Sequence, residues 1–343
     1  MKGFFKRPFF IKLFNWEYWP FGVVQLPLIF MWIAYSIREK SPFYFSASNP
    51  GIVSGGMMGE SKYEVLKMVP SDVTPTTLLV KLPATAEDIE KQMKEAGLRF
   101  PVIFKPDLGE RGWMVRRINT LEEAAVYLRE IKIDFIVQEF VDLPLEFGVF
   151  YVRFPSAAQG TVNSITMKEF LSVTGDGIQT LQELILQKDR ALLQWEVLKE
   201  KYKTRLQEIV PAGERMELIS IGNHCLGTKF LNANHLINER LIASFDKISQ
   251  QVKGFYFGRY DLRCASVEDL EEGKVKIVEL NGCGAEPAHI YQPGTSLWGA
   301  MKVLIVHWQN MYKISRENFD RGIPYVSFGE GRKIYKRFKS LKS

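Results

Sequence analysis

Cysteine and histidine are scarce in this chain of 343 residues, which contains three of the first and four of the second. Cys225, Cys264 and Cys283 lack the spacing of metal ligands, and an odd, dispersed set of this kind predicts a reducing compartment rather than a disulfide framework. No two histidines have the spacing of a zinc-binding pair. Neither a Ser/His/Asp nor a Cys/His pattern for nucleophilic catalysis is visible.

Long hydrophobic segments and the common nucleotide-binding loop are also missing. The most apolar stretch, Phe21 to Tyr35, contains Gln25, is expected to be broken by Pro27, and is shorter than the ~20 residues that a spanning helix needs. It lacks a small-residue cleavage site, which argues against a signal peptide. No Gly-Lys-Ser/Thr follows the glycine-containing turn near residue 109, which argues against a P-loop. We therefore expect a cytoplasmic protein.

The composition is that of a globular protein, with 46% hydrophobic and 24% charged residues, and the length allows two or three packed units around one cleft. The net charge of +6 is unevenly placed. Residues 1–12 carry +4 and residues 332–343 carry +6, with no acidic residue in either segment, so the residues between them carry −4. A basic core that binds nucleic acid is therefore not predicted.

Two predicted strands near the end of the chain are the most informative segments. Phe255–Cys264 and Val275–Asn281 are rich in β-branched and aromatic residues, and the acidic stretch Val267–Gly273 between them is expected to form a turn. We therefore predict that the two strands pair as an antiparallel hairpin.

The polar residues of this hairpin fall on one face of each strand. Side chains alternate along a strand, so Arg259, Asp261 and Arg263 share a face, as do Glu279 and Asn281 on the next strand. If the strands pair, two carboxylates and an amide oxygen converge as hard ligands for Mg²⁺, beside arginines suited to phosphate. A solvated hairpin face of mixed charge is the alternative interpretation.

Earlier segments carry a second set of candidate residues. Lys105 lies at the end of a short apolar strand, and the glycine-containing turn Leu108–Gly112 follows it. A lysine beside exposed backbone N–H groups suits the α- and β-phosphates of a nucleotide. The apolar strand Phe135–Val141 ends in alternating polar and apolar groups that suit an adenine, and Glu146 follows as a candidate for the ribose hydroxyls.

Taken in this order, the segments from about Ser61 to about Trp308 resemble the ATP-grasp superfamily, most closely its D-alanine–D-alanine ligase-like branch. The opening Ser61–Lys67, followed by Val73-Thr-Pro-Thr, is similar to the lysine-containing helix of that branch. The resemblance implies an α+β ATP-grasp fold in which two α+β lobes grip the nucleotide. It divides the chain into a short atypical N-terminal region (1–60), a first lobe (61–135), a second lobe with the magnesium site (136–315) and a basic tail (316–343).

The resemblance also implies roles for individual residues, all carried over by their place in the motifs. The sequence departs from the family pattern in two respects. The hinge begins with Gln138 where an acid is common, and one extra residue separates the hinge from the ribose acid Glu146. The nucleotide would be bound by Lys62, Lys105, Gln138, Glu139, Val141 and Glu146, the metal ion (Mg²⁺, with Mn²⁺ as an alternative) by Asp261, Glu279 and Asn281, and catalysis would involve Arg259, Asn281 and Gly282.

Two glycine-containing segments allow a functional and a structural interpretation. Val173–Ile185, with its Gly-Asp-Gly, looks like a segment of cyanophycin synthetase-type ligases. A turn followed by a helix capped by Thr180 and Glu183 is the favoured interpretation over direct catalysis. In the second segment, backbone N–H groups of Gly282–Ala285 are expected to stabilise an oxyanion, and Cys283 is interpreted as a packing residue in preference to a nucleophile.

The activity implied by the resemblance is ATP- and Mg²⁺-dependent joining of a carboxylate to an amine or a thiol through an acyl phosphate. The expected partners are small-molecule or lipid-linked substrates, and the sequence predicts neither their identity nor an oligomeric state. Two alternatives stay open: a kinase on the same scaffold, and a non-catalytic, membrane-associated nucleotide-binding module. Residues 1–60 offer no equivalent of the glutamate that holds the first substrate of D-alanine–D-alanine ligases.

Both ends of the chain place aromatic rings beside basic residues, as in Phe9 to Lys12 and Tyr335 to Phe338. This pattern is typical of a segment that lies at an anionic lipid surface. It predicts peripheral attachment to the cytoplasmic face of a membrane. An N-terminal helix packed on the catalytic core, with a solvated basic tail, is the alternative interpretation.

Overall fold

Two antiparallel sheets, each covered by helices, form the middle of the chain. The structure is a computed structural model that describes residues 8–109, 112–219, 222 and 224–340. Several predicted positions lie outside these ranges: Lys2, Phe4, Phe5, Lys6 and Arg7 of the N-terminus, Glu110 and Arg111 of the glycine-containing turn, and Lys342.

The described residues form twelve α-helices and eleven strands. The helices are α1 Pro8–Phe14, α2 Phe21–Glu39, α3 Lys62–Lys67, α4 Ala86–Glu95, α5 Leu121–Glu130, α6 Leu181–Gln187, α7 Asp189–Leu192, α8 Trp195–Lys201, α9 Glu239–Gln251, α10 Val267–Glu271, α11 Leu297–Asp320 and α12 Phe328–Ser340. The strands are β1 Thr77–Val80, β2 Val102–Pro106, β3 Arg116–Ile118, β4 Phe135–Glu139, β5 Leu145–Val152, β6 Thr161–Glu169, β7 Ser172–Thr174, β8 Arg215–Glu217, β9 Lys229–Asn232, β10 Phe257–Cys264 and β11 Lys276–Asn281.

The first sheet has the strand order β1-β4-β2-β3 and packs against α4 and α5. Both helices begin at a threonine whose side chain accepts a hydrogen bond from the third residue of the helix, Thr85 for α4 and Thr120 for α5. Phe104, Tyr127 and Phe135 form the centre of this core and are fully buried. These elements make up one α+β lobe.

The second sheet has the order β11-β10-β5-β6-β9, and all of its strand pairs are antiparallel. One face packs against α9, where Phe245 contacts Tyr260 in a buried cluster with Val149 and Leu262. Because side chains alternate along β10, burial of Tyr260 and Leu262 against α9 directs Arg259, Asp261 and Arg263 to the opposite face. The fold is thus α+β with two lobes, as predicted.

The two predicted strands pair as β10 and β11, but the segment between them is not a simple turn. Residues 267–271 form α10, capped by the Ser266 side chain. Acidic residues at its N-terminus, Glu268 and Asp269, favour this short helix because they lie at the positive end of the helix dipole.

A small unit with its own core is inserted between β6 and β9. It combines the two-stranded sheet β7-β8 with the three short helices α6, α7 and α8. The predicted cap is confirmed: Thr180 and Glu183 form a reciprocal capping box at the start of α6. Asp176 accepts hydrogen bonds from the backbone N–H groups of Ile178 and Gln179, as expected for a turn.

The long helices α2 and α11 pack side by side along the outside of the second lobe, with Tyr35 stacked on Tyr312 at 4.0 Å between ring centroids. The expectation that Pro27 breaks the apolar run is wrong, since α2 continues through it. Pro27 and Val23, whose carbonyl would lose its helical partner, are both exposed, so water can satisfy that carbonyl.

The basic C-terminal segment contains a helix, α12. Helix α12 packs on the chain after α2, where Phe328 contacts Phe43. The predicted division of the chain remains a prediction, and its boundary at residue 135 falls on β4, which pairs with β1 and β2 of the first sheet.

Candidate nucleotide and metal site

The strand register brings the predicted hairpin residues together. Asp261 lies directly opposite Glu279, and Arg259 lies opposite Asn281, with a bulge immediately after Asp261. Asn281 donates a hydrogen bond from Nδ2 to Asp261 Oδ2 at 3.1 Å. The amide oxygen of Asn281 is therefore left as an acceptor beside two carboxylates.

Arg259 orients the buried carboxylate of Asp261. Its Nε donates to Oδ1 at 3.1 Å and its second terminal nitrogen to Oδ2 at 3.0 Å, a bidentate pair. Gly148 on the adjacent strand leaves room for this pair, because a Cβ there would lie 3.2 Å from Arg259 Cδ and from Asp261 Oδ1. A larger residue at this position would displace the pair.

The two predicted phosphate lysines both reach β11, but they bind different groups. Lys62, at the start of α3, pairs with Glu279 at 2.8 Å. Lys105 is 7% exposed and donates to Gln138 Oε1 at 3.1 Å and to the Val278 carbonyl at 3.0 Å. Since Lys105 belongs to the first sheet and Val278 to the second, this bond joins the two lobes.

Cations keep the site carboxylates ionised. Burial by itself would raise the pKa of Glu279, but Lys62 and Lys105 outweigh burial and hold that pKa well below 4.5. Burial also opposes ionisation of Asp261, yet Arg259 and Lys168 lower its pKa below 3.8. At neutral pH both carboxylates are therefore charged.

Lys168 was not predicted from the sequence. It lies on β6, 3.0 Å from Glu146 and 3.2 Å from Asp261, and it is as buried as both. Ser164, Thr166 and Lys168 alternate with apolar residues along β6, and this alternation was the signal available for finding it. The Thr166 hydroxyl on the same face is buried and has no hydrogen-bond partner among the described residues.

The predicted hinge residues lie where β4 ends and the chain crosses to the second sheet. Gln138 is buried and donates to Thr77 and to the Val278 carbonyl, Glu139 accepts from the Thr76 backbone, and the Val141 carbonyl accepts from Arg263. Glu146, the predicted ribose acid, is instead engaged on both oxygens, by Lys168 and by Arg263 at 3.0 Å each.

The prediction that backbone N–H groups of Gly282–Ala285 stabilise an oxyanion is wrong for three of the four residues. The N–H groups of Cys283, Gly284 and Ala285 donate to the carbonyls of Gly55, Gly56 and Gly282 at 2.9–3.0 Å, so these three are already used. Gly282 lies so close to the segment Val53–Gly56 that a Cβ on Gly56 would be 2.6 Å from its Cα. Gly55 and Gly56 have φ of +66° and +78°, which glycine adopts readily.

Cys283 is a packing residue. It is 3% exposed, and burial raises the pKa of its thiol to about 12, so a thiolate nucleophile is not available at neutral pH. Its sulfur lies 3.9 Å from the carbonyls of Phe45 and Ser54.

The segment after Gly284, which follows β11, is held in place by other side chains of the chain. The Glu286 carboxylate accepts from Tyr291 at 2.6 Å and from Gln25 of α2, and its carbonyl accepts from Arg259. His289 pairs with Ser164 at 2.6 Å, and burial lowers its pKa, so it is neutral at pH 7.

The residues present fit a magnesium ion that arrives with a nucleotide. Within the described ranges, no group of three or more His, Cys, Asp or Glu side chains is placed to hold a metal ion alone. Mg²⁺ rarely needs such a cage, since it is commonly held by one or two carboxylates, waters and the phosphates of a substrate. Asp261, Glu279 and the Asn281 oxygen provide that smaller set.

Lys168→Met should destabilise the protein by about 3 kcal/mol, because it removes a cation shared by two buried carboxylates. Lys229→Met is the matched control on the neighbouring strand: its pair with Glu169 is about one third exposed and should contribute about 0–1 kcal/mol. Urea unfolding of both variants measures the difference. Equal losses for the two would show that Lys168 does not balance the buried charge.

Neither a protein-family model nor a curated protein matches the chain. Among solved structures, it is similar to a bifunctional glutathione synthetase from Pasteurella multocida (16% identity, TM-score 0.39, 75% of this chain and 38% of that chain). It is also similar to a D-Ala:D-Ser ligase from Enterococcus faecalis (13%, 0.42, 78% and 62%) and to a D-alanine–D-alanine ligase from Bacillus anthracis (12%, 0.41, 78% and 68%). The chain thus spans less than two thirds of the first two. These are ATP-grasp enzymes, and at TM-scores of 0.39–0.42 the likeness carries no inference about this chain.

Proposed function

We propose that the protein is an ATP- and Mg²⁺-dependent ligase that joins a carboxylate to an amine, or to a thiol, through an acyl phosphate. The observation that supports this most is a cluster of five cations and three carboxylates on one face of the second sheet and the lobe edge beside it. Its members are Lys62, Lys105, Lys168, Arg259, Arg263, Glu146, Asp261 and Glu279.

The composition of this charged cluster favours a polyphosphate ligand. The five cations can donate hydrogen bonds to phosphate oxygens, and partial burial strengthens their attraction for an anion. Lys62 and Lys105 contact Glu279 and Val278 of β11 from the side of the first lobe, and Arg259 lies opposite Asn281 at the end of that strand. This arrangement suits a ligand that extends along β11. Thr166, whose hydroxyl lacks a partner in the described chain, offers a further polar contact on this face.

Asp261, Glu279 and Asn281 would hold the magnesium ion, and bound Mg²⁺ would neutralise charge between the β- and γ-phosphates. Lys62 and Lys105 would bind phosphate oxygens, and Arg259 would orient the transferred group. An oxygen of the substrate carboxylate then attacks the γ-phosphorus, and the bond to ADP breaks. An amine attacks the resulting acyl phosphate, inorganic phosphate leaves, and the nitrogen loses a proton to solvent.

Hydroxylamine trapping tests this proposal. The protein is incubated with ATP, Mg²⁺, hydroxylamine and a panel of small carboxylic acids, and acyl hydroxamate and ADP are measured together. A ligase forms both in equal amounts. ADP formed with a phosphorylated hydroxyl product and no hydroxamate would indicate a kinase instead, and absence of nucleotide binding by calorimetry would contradict both.

Nucleotide affinity should depend on pH through Lys105. Burial lowers the pKa of Lys105 to about 8, against an ordinary value of 10.5, while nearby Glu279 opposes the shift. Phosphate oxygens favour the charged amine, so above pH 8 binding should take up a proton, and affinity should fall by up to about tenfold per pH unit. Calorimetry at pH 9 in two buffers of different ionisation enthalpy counts the proton.

The same shift affects stability with a defined sign. Between pH 8 and 10.5 the unfolded chain binds a proton at Lys105 that the folded chain does not, so its contribution to stability rises with pH across that window. No proton uptake at pH 9 would mean that Lys105 does not contact the nucleotide phosphates.

The acceptor substrate is proposed to bind beside Glu286 and His289. Glu286→Gln should raise the Michaelis constant of one substrate while that of ATP changes less than twofold, because the change lies beyond the nucleotide cluster. Steady-state kinetics with each substrate varied in turn provides the measurement. Equal changes for all substrates would assign Glu286 to the packing of α2 through Gln25.

A further inference from the structure

Between Gly22 and Ile37, helix α2 has its polar side chains on the inside and only apolar ones on the outside. Gln25 is buried against Glu286, and the Ser36 hydroxyl and the Tyr35 ring also lie on the inner side. Between Gly22 and Ile37, every exposed residue is apolar, with Phe30 and Ile37 the most exposed at 67% and 73%. A helix on the surface of a water-soluble domain shows the opposite arrangement.

The exposed residues form a continuous row along the helix. Val23, Leu26, Phe30, Ile33 and Ile37 are spaced by three or four residues, so they lie on one face. Helix α1, which precedes α2 by a short connection, adds further exposed rings and aliphatic chains. We call the following set the apolar face: Phe9, Leu13, Phe14, Val23, Leu26, Ile29, Phe30, Ile33 and Ile37.

Charge near the apolar face has one sign. The two acidic residues between Pro8 and Lys40 are buried in ion pairs or hydrogen bonds: Glu17 with Arg190 and His224, and Glu39 with Arg316 and two tyrosines. Over the same range the basic residues Lys12, Arg38 and Lys40 are exposed. In the sequence, exposed cations therefore flank the row on both sides, with no exposed carboxylate between them.

Helix α12 adds more positive charge close to the end of α2. Its residues Phe328 and Gly331 lie against Phe43, four residues beyond the end of α2. The helix exposes five basic side chains and has one acidic residue, Glu330. The basic ones are Arg332, Lys333, Lys336, Arg337 and Lys339.

We propose that the apolar face and the basic helix α12 bind the surface of an anionic lipid bilayer, with α1 and α2 lying in the plane of the interface. Apolar side chains enter the acyl boundary while lysines and arginines bind lipid phosphates. A second copy of this chain is disfavoured as the occupant, because either orientation along α2 brings cations against cations. None of the helices in the described part of the chain has the length and hydropathy to cross a bilayer.

Co-sedimentation of the full-length protein with vesicles tests the proposal without reference to its activity. Vesicles of phosphatidylcholine alone are compared with vesicles containing phosphatidylglycerol, at low and at high salt. The protein is expected to sediment with anionic vesicles at low salt, and less so at high salt, since salt screens the contribution of the cations.

Phe30→Ser/Ile37→Ser is the informative variant. It should lower the partition coefficient between water and anionic vesicles by about tenfold or more, because the Phe30 ring and the Ile37 side chain no longer leave water on binding. Ile178→Ser/Val197→Ser is the matched control, since both residues are exposed and apolar but do not belong to the apolar face. All four positions are exposed, so melting temperatures should stay close to that of the unaltered protein.

Two results would overturn the proposal. The unaltered protein would stay in the supernatant with anionic vesicles at low salt, or the α2 variant would bind as well as its control. A dimer in analytical ultracentrifugation that Phe30→Ser/Ile37→Ser converts to monomer, together with no vesicle binding, would assign the apolar face to self-association instead.

Discussion

Asn281→Ala is expected to lower ligase turnover by about 10²–10³-fold while nucleotide affinity falls far less. In the proposed function the Asn281 oxygen is one of three hard metal ligands beside the transferred phosphate, and its effect would be largest where negative charge develops in the transition state. The side chain is only half-buried, so the fold should persist. Single-turnover kinetics and ATP calorimetry on the same preparation separate the two effects.

Asn281→Asp is the matched control for that substitution. It keeps an oxygen ligand for the metal but loses the N–H group that donates to Asp261 at 3.1 Å. If Asn281 is a metal ligand, the aspartate variant should retain much more activity than the alanine variant and respond to added Mg²⁺. If its role is only to position Asp261, both variants should lose activity equally.

Lys105→Met is expected to weaken ATP binding by about 10- to 100-fold, since a charge-assisted hydrogen bond to phosphate contributes about 1.5–3 kcal/mol. Thermal stabilisation by ATP·Mg²⁺ should shrink in proportion. Methionine has a similar shape, and removal of a charge that is costly to bury partly offsets the loss of the bonds to Gln138 and Val278. The melting temperature of the ligand-free variant is therefore the reference from which its stabilisation by ATP is measured.

Lys67→Met provides the comparison for the phosphate lysines. Lys67 lies on the same helix as Lys62 but is exposed at the opposite end, so its loss should leave ATP stabilisation unchanged. Full stabilisation of Lys105→Met by ATP·Mg²⁺ would remove Lys105 from the phosphate site, and with it the main support for a nucleotide beneath the first lobe.

The hairpin of the site was predictable because its information is local. Alternation along two short strands directs Asp261 and Glu279 to the same face of the hairpin, where they lie opposite each other. The same alternation is expected in any tertiary context that buries one face of the strands. Capping of α6 by Thr180 and Glu183 was predictable for the same reason. In the first lobe, Lys62 was matched to the site by family resemblance, whereas the place of Lys105 at a strand end beside a glycine-containing turn was a local indication of a phosphate role.

Features that depend on distant contacts were missed. Lys168 is part of the charged cluster because β6 pairs with β5, and the sequence of β6 alone does not indicate which strand it pairs with. The donors at Cys283 and Gly284 were assigned to an oxyanion because the segment that takes them, Gly55 and Gly56, is more than two hundred residues away in the sequence. Pro27 was overestimated as a helix breaker since its exposure could not be foreseen.

The hydrogen bond between Gln25 and Glu286 sets the distance between the proposed acceptor region and the outer surface of α2. Gln25 is on the inner side of α2, and Val23 and Leu26 on the same helix are exposed. An α-helix with its side chains is about 10–12 Å across, so the carboxylate beside the acceptor region would lie one helix diameter from lipid if α2 rests on a bilayer. A substrate held in the membrane by an acyl chain would then need to extend only one helix diameter out of the bilayer to reach Glu286. A soluble substrate would instead approach from the side of the protein that faces away from the bilayer.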